Sequence, residues 1–362
     1  MKRDIRILFL IDGLNGGGKE RQLVEIIRYL KGDDRYTMGV ITFNKNKHYS
    51  VTVRENVPFY FELNKRPTGL EPLFTLWKYF WRFNPDIVHS WDTLTSLYAC
   101  FLTSFSRAKF INGSIRDAGI EKKWQKALKG FLIKRADVVI ANSEAGLTHY
   151  KVQGEVIFNA INMSRFGLIP VGEGFNMIMV ANFSDYKDHK TFIDAAGELL
   201  NRNRIDLVYM AGDGPRRKEF MNYIKKTFAY VSERFIFLGA INNVEEYLSR
   251  CMVGVLCSTQ EYGEGISNSV LEYMAAGLVA ITTDTGGMHE VIDDGENGYL
   301  VKEKDARSIV DIVIQLRENP ELMSRLRANA RKTIGSKFSY EKNIESLKKI
   351  YSGLCTENLN LI

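Results

Sequence analysis

Two glutamates, Glu264 and Glu272, stand with seven residues between them. Gly265-Ile266-Ser267-Asn268 follows the first, and Met274-Ala275-Ala276-Gly277 follows shortly after the second. Ser267 or Asn268 suits the N-cap of a helix over about Ser269 to Ala276, which Gly277 would end. The first amides of such a helix lack internal partners and carry partial positive charge, so they can hold a phosphate. Glu264 then precedes the helix and Glu272 lies about one turn inside it. Carboxylates accept hydrogen bonds from hydroxyl pairs. The pattern suits a phosphate with a sugar on one side and a ribose on the other.

A second place for an anion or sugar lies near the start of the chain. The apolar run Ile5 to Ile11 ends in Asp12-Gly13-Leu14-Asn15-Gly16-Gly17-Gly18-Lys19-Glu20. Gly17 and Gly18, at a strand-to-helix turn, let the backbone come close to a phosphate or sugar. The turn is neither GxGxxG nor a P-loop, which argues against dinucleotide and ATP sites.

Together with other segments these elements resemble the retaining family 4 glycosyltransferases of GT-B fold. The glutamate pair matches their E-G-x-x-N-x-x-x-E-A-M-A-x-G donor signature. The glycine turn resembles their GGxE element. Ala211-Gly212-Asp213-Gly214-Pro215, Phe237-Leu238-Gly239 and Pro85-Asp86-Ile87-Val88-His89 match further segments. The resemblance implies roles residue by residue. Glu264 would contact the donor sugar, Glu272 the nucleotide ribose, and Gly265, Ile266, Ser267 and Asn268 the diphosphate. Gly17 and Gly18 would face the donor. Lys187 takes the place of the family's diphosphate-binding lysine, while Asn182 stands where an arginine is usual. Arg116 aligns with the acceptor-facing histidine of many relatives. A cation there could bind an acceptor phosphate or support the leaving group, but arginine stays protonated and is no base. Glu264 and Arg116 are therefore the candidate catalytic residues. Trp91 replaces the second histidine of the PDVVH-x-H pattern, and His89 reads as a structural histidine.

The implied reaction moves a hexose-type sugar from a nucleoside diphosphate, UDP by preference, to a hydroxyl acceptor that is lipid-linked or part of a cell-surface polysaccharide. With no Asp-x-Asp pair in the sequence, neither a metal nor another cofactor is expected. Two alternatives stay open: a GT-B sugar-nucleotide epimerase, and a catalytically silent sugar-nucleotide-binding protein.

The elements that must position these residues alternate along the chain. β-rich apolar runs such as IRILFLI, MGVITF, FNMIMVANF and LVAITTD are separated by helical periods. Such alternation predicts an α/β protein with parallel sheets covered on both faces. At 362 residues the chain suits two Rossmann-like, doubly wound domains facing a cleft. The expected limits are 1–168 for an acceptor-side domain and 175–338 for a nucleotide-sugar domain. A C-terminal helix, 339–362, would cross back to the first. Ile169 to Gly174 supplies the linker. The aromatic run Trp77 to Phe83 is assigned to the core.

Of 49 Lys and Arg, 26 lie in residues 1–165, with 16 of the 43 acids, a net of +10 against −4 for the rest. This points to an anionic partner of the first half. No nucleic-acid-binding motif is present, so no nucleic acid is expected. At 121–136, Lys122, Lys123, Lys126, Lys129, Lys134 and Arg135 surround a face of Trp124, Leu128, Phe131 and Leu132. A basic helix with an aromatic fits an anionic membrane surface. No apolar run is long enough to span a bilayer. Four scattered cysteines fit a reducing compartment. The expected location is the cytoplasm, peripheral on the inner face of the membrane.

Overall fold

The computed structural model describes residues 4–45, 48–63, 70–117, 119, 122–167, 174–261 and 263–356. Apart from Gly174, the expected linker lies outside these residues, as do residue 121 of the expected basic helix and the last six residues. The chain parts into two units. The first comprises residues 1–116, 121–159 and 340–362, and the second 117–120 and 160–339. The first unit thus leaves off before the expected limit at 168.

In the first unit the order is β1 (Ile5–Ile11), α1 (Gly18–Leu30), β2 (Tyr36–Thr42), α2 (Ser50–Asn56), β3 (Phe59–Glu62), α3 (Leu70–Phe83) and β4 (Ile87–Ser90). There follow α4 (Thr93–Thr103), β5 (Lys109–Ile115), α5 (Lys123–Lys134), β6 (Val138–Ala141), α6 (Glu144–Tyr150) and β7 (Glu155–Val156). The second unit runs β8 (Met177–Val180), α7 (His189–Asn201), β9 (Val208–Ala211), α8 (Arg217–Thr227), β10 (Phe235–Gly239) and α9 (Val244–Leu248). It continues with β11 (Val253–Leu256), α10 (Asn268–Ala275), β12 (Val279–Thr283), β13 (Tyr299–Val301), α11 (Ala306–Glu318) and α12 (Pro320–Lys337). The last helix, α13 (Tyr340–Thr356), belongs to the first unit.

Each unit holds one parallel sheet, ordered β3-β2-β1-β4-β5-β6-β7 in the first and β10-β9-β8-β11-β12-β13 in the second. The central strands are buried on both faces, which is why their sequences are continuous apolar runs rather than alternating ones. Arg6, the one charge in β1, turns its guanidinium to the carbonyl of Phe83 at the end of α3. Strand order reverses between β1 and β4 in the first sheet, and between β8 and β11 in the second. Ligands of open α/β sheets bind beyond the carboxyl ends of the strands at such points.

On one side of the first sheet, Ile7, Phe9 and Ile111 pack with α1, α2 and α13. On the other, Leu8, Leu10, Val88 and Phe110 pack with α3 and α4. The aromatic run expected in the core is divided by the helical period. Phe80 and Phe83 are buried, Trp77 is half-buried, and Trp81 is 43% exposed. The basic helix is similarly turned. Leu132 is buried, but Trp124 and Phe131 face solvent, while Lys129 is buried with its Nζ donating to Tyr150 Oη at 2.8 Å. The single apolar face expected there is therefore split, and Lys129 is no part of an exposed basic surface.

Candidate functional site

The residues singled out by sequence fall into one group in each unit. In the second, they gather beyond the ends of β8 and β11. The loop after β8 is tied to the loop after β11 by two backbone bonds, Asp188 N–H to Cys257 O at 3.0 Å and Thr259 N–H to Tyr186 O at 3.0 Å. These bonds place Lys187 against Ser258. Lys187 Nζ donates to Ser258 Oγ at 3.2 Å and forms a salt bridge with Glu264 Oε2. Ser258 Oγ also donates to Glu264 Oε2, at 3.1 Å. The two residues given separate roles by resemblance thus meet directly. Ser258, which sequence reasoning passed over, joins them. Its only signal is its place just after β11.

Glu264 is held through its main chain. Its carbonyl accepts from Gly287 N–H at 2.7 Å. Gly286 has φ +54°, and a Cβ there would lie 1.9 Å from the same oxygen, so only glycine permits the approach. Helix α10 starts at Asn268 with Ser267 as N-cap, and Gly277, at φ +74°, follows its end. Gly265, Ile266 and Ser267 are buried and Asn268 half-buried, so the turn is a packed part of the unit rather than a loose loop. Glu272 is buried inside α10.

The next residue, Tyr273, stands where the signature has alanine. Its Oη accepts from Val180 N–H at 2.7 Å, and Ser269 Oγ donates to Val180 O at 2.7 Å. The helix is thereby stitched to the end of β8. Space for the ring comes from Gly254 in β11, where a Cβ would lie 2.3 Å from it. Asn182 is exposed in the turn after β8, and no recorded bond joins its side chain to Lys187 or Glu264. Arg216, at the N-cap of α8, is a cation that reaches this loop. It lies 3.7 Å from Asp185 of the same loop and is paired with Glu219. His189 is buried, with Nδ1 3.1 Å from Lys187 O, and burial pushes its pKa down to about 4.

In the first unit Gly17 is the N-cap of α1 and Gly18 its first residue. Asp92, also unforeseen, fixes this turn. Its carboxylate caps α4 through Thr95 N–H at 2.9 Å, accepts from Asp12 N–H at 2.9 Å, and takes Lys19 Nζ at 3.3 Å. Arg116 follows β5. Its Nε donates to Gly113 O at 3.0 Å, and its guanidinium carbon lies 4.2 Å from the centre of the Trp91 ring. The two departures from the family pattern, Trp91 and Arg116, are thus a stacked pair. Burial draws the Arg116 pKa down to about 10, against the opposing charges of Glu20 and Asp92, and leaves it a cation at neutral pH. His89 Nδ1 lies 3.0 Å from Tyr351 Oη. Burial, and secondly Arg116, push its pKa down to about 3, so it stays neutral. A cavity of about 20 Å³, room for roughly one water, is lined by His89, Trp91, Arg116 and Tyr340. His89 Nε2 and Trp91 Nε1 are both buried without a hydrogen-bond partner.

Among the described residues, no cluster of three or more His, Cys, Asp or Glu is placed to hold a metal ion.

Residues 16–165 match the model of Glycosyltransferase Family 4, and residues 164–333 that of Glycosyl transferases group 1. The chain belongs to family 4 of the GT-B glycosyltransferases. The putative glycosyltransferase EpsD of Bacillus subtilis (strain 168) is 32% identical over 180 residues, 50% of this chain and 46% of that protein. N-acetyl-alpha-D-glucosaminyl L-malate synthase of Bacillus anthracis is 29% identical over 184 residues, 51% and 47% of the respective chains. The family 4 chain therefore spans about half the length of these two relatives. Its fold is that of Anabaena HepE, solved with UDP and glucose, at TM-score 0.80 and 18% identity, covering 96% of this chain and 99% of that one. Sucrose-phosphate synthase of Thermosynechococcus elongatus gives TM-score 0.82 at 16% identity, covering 98% and 100%. The expected α/β GT-B architecture is thus present.

Proposed function

We propose that the protein is a retaining glycosyltransferase that moves a hexose-type sugar from UDP to a hydroxyl acceptor. The observation that carries this reading is the Lys187–Ser258–Glu264 cluster at the strand-order reversal of the second sheet. It sets a cation for a diphosphate beside a carboxylate for sugar hydroxyls. Solved neighbours of this fold hold UDP, UDP with glucose, or UDP-glucose, which supports the choice of nucleotide.

When the anomeric carbon–oxygen bond breaks, its electron pair goes to the β-phosphate of the departing UDP. Fixed donors aimed at that charge are the main expected source of rate. Lys187, Asn182 and the amides of Gly265 to Asn268 are assigned to it, with Gly17 and Gly18 near the donor. Glu264 orients the sugar and Glu272 the ribose. The acceptor oxygen bonds to the anomeric carbon on the face the phosphate leaves, and its proton passes to the phosphate oxygen. Retention follows, and no side-chain base is called for. This accommodates Arg116, which is assigned to the acceptor side. No observation favours an epimerase or a silent binder over this reading.

No helix of the described residues is long and apolar enough to cross a membrane. A lipid-linked acceptor at the cytoplasmic face is reached by peripheral attachment, for which α5 and its N-cap offer exposed Lys122, Lys123, Lys126 and Lys134. Each basic residue near an anionic surface is worth about 1 kcal/mol.

The test is a panel of nucleoside diphosphate sugars scored by thermal stabilisation, since binding to the native state raises the melting point. UDP-sugars should shift it and the Lys187→Ala variant should lose about 1.5–3 kcal/mol of UDP affinity by calorimetry, as for a hydrogen bond to a charged group. Equal affinity in both proteins would place the diphosphate elsewhere.

A further inference from the structure

Nine large hydrophobic side chains are exposed among the described residues. Seven of them lie on the first unit's neighbouring helices α3, α4 and α5 or in the turn after α4: Phe74, Trp81, Leu97, Phe101, Phe105, Trp124 and Phe131. Helices α3 and α4 pack on the same side of the sheet, and α5 lies beside α4. The side chains of α3 and α4 form a contiguous aromatic cluster. The Trp77 ring is 5.7 Å from Trp81, 5.9 Å from Phe101 and 5.8 Å from Phe105, and Phe101 is 5.3 Å from Phe105. Contiguous exposed apolar surface of this kind marks an interaction site.

The charges around it select the partner. Helices α3, α4 and α5 carry six Lys or Arg and a single acid, Glu71. Of the six only Lys129 is buried. Lys78 and Arg82 are exposed on α3 itself, and Arg107 is exposed just after Phe105. Two copies of this face brought together would oppose like charges around their rims. An anionic surface would not. Tryptophan and phenylalanine within a basic rim are the composition of segments that lie at the lipid–water interface.

We propose that the α3–α4 aromatic cluster inserts into the interfacial layer of an anionic bilayer. The attachment is then made of two parts, the salt-sensitive attraction of α5 and a salt-resistant apolar contact at Trp81, Phe101 and Phe105. The proposal rests on the peripheral reading given above for its first part, and adds the second.

The experiment is sedimentation of the full chain with phosphatidylcholine vesicles and with phosphatidylcholine–phosphatidylglycerol vesicles, at low and high salt. Wild type is compared with Trp81→Ser/Phe101→Ser/Phe105→Ser and with Lys122→Glu/Lys123→Glu/Lys126→Glu. Wild type should pellet with the mixed vesicles and keep a residue of binding at high salt, where exposed charges are screened. The aromatic triple should lose that residue and bind at least about tenfold more weakly, since each lost aromatic removes apolar burial. The charge variant should lose its preference for anionic vesicles and retain the salt-resistant part. Melting temperature and UDP-induced stabilisation serve as fold controls. Should the triple melt early, Phe101→Ser/Phe105→Ser, at the two most exposed positions of the cluster, takes its place. Wild-type binding by the aromatic variant, with loss only in the charge variant, overturns the cluster and leaves α5 standing. Lipid-free dimers that the aromatic variant dissolves would make the face a self-contact and overturn the proposal. Absence of wild-type binding to every vesicle overturns both parts.

Discussion

Lys187 and Glu264 neutralise each other in the second unit, and Ser258 bridges them. On the proposed reading, a diphosphate arriving there would compete with the Glu264 carboxylate for the lysine, and the carboxylate would be released toward the sugar hydroxyls as the cation turned to the phosphate. Glu264→Gln removes the competitor and keeps the shape. UDP affinity should hold or rise by a few-fold, while sugar transfer falls about ten- to a thousand-fold, the mark of a contact made in the transition state. Calorimetry beside a transfer assay checks both, and wild-type turnover would end the role assigned to Glu264. The Arg116–Trp91 pair makes a related point in the first unit. An arginine half-buried against a ring face gives up much of its freedom to move, so it offers a fixed charge rather than a proton shuttle.

Helix α10 owes its place to its packing partners as much as to its own sequence. Tyr273 spans from α10 to β8 and β11, and Gly254 leaves room for its ring. Tyr273→Phe would leave the half-buried amide of Val180 without its acceptor. The expected cost is about 1–3 kcal/mol in the second unit, read as a lower melting point with UDP affinity also reduced. An unchanged melting point would show that another group takes up the amide. The position of α10 was legible in the sequence because Ser267 and Gly277 carry local backbone signals at its two ends. The strand and helix alternation was legible for a similar reason, since a doubly buried strand must be apolar along its length. Other features depend on partners far along the chain. Nothing near Ser258 indicates that residues 187 and 264 will flank it. Lys129 looks like its basic neighbours until Tyr150 folds against it. The run at 77–83 is aromatic on every side, so composition hides which positions the helical period turns outward.

At the scale of the whole molecule, protonation acts on buried histidine. His89 has its pKa pushed down from 6.5 to about 3, so the native first unit refuses a proton that the unfolded chain accepts below about pH 6.5. Stability is present in full above that value and is lost as pH falls toward 3, by up to about 1.4 kcal/mol per pH unit. All four tryptophans, at 77, 81, 91 and 124, lie in the first unit, so their fluorescence reports its unfolding alone. Urea midpoints from pH 7 to 4.5 should decline in wild type and flatten in His89→Gln. Parallel slopes would move the acid sensitivity to another group. The same unit is stitched from stretches far apart in the chain, ending with α13, whose Ile344, Leu347, Tyr351 and Leu354 cover Ile7 and Phe9. During synthesis this cover is made only after the second unit. At about 5–20 residues per second, the strands of the first sheet wait roughly 10–40 s for it while residues 160–339 emerge. Through that interval the nascent sheet has α1 and α2 but not α13 on that side, which leaves part of its apolar surface bare, a natural client for chaperones, while the second unit can close around its own core.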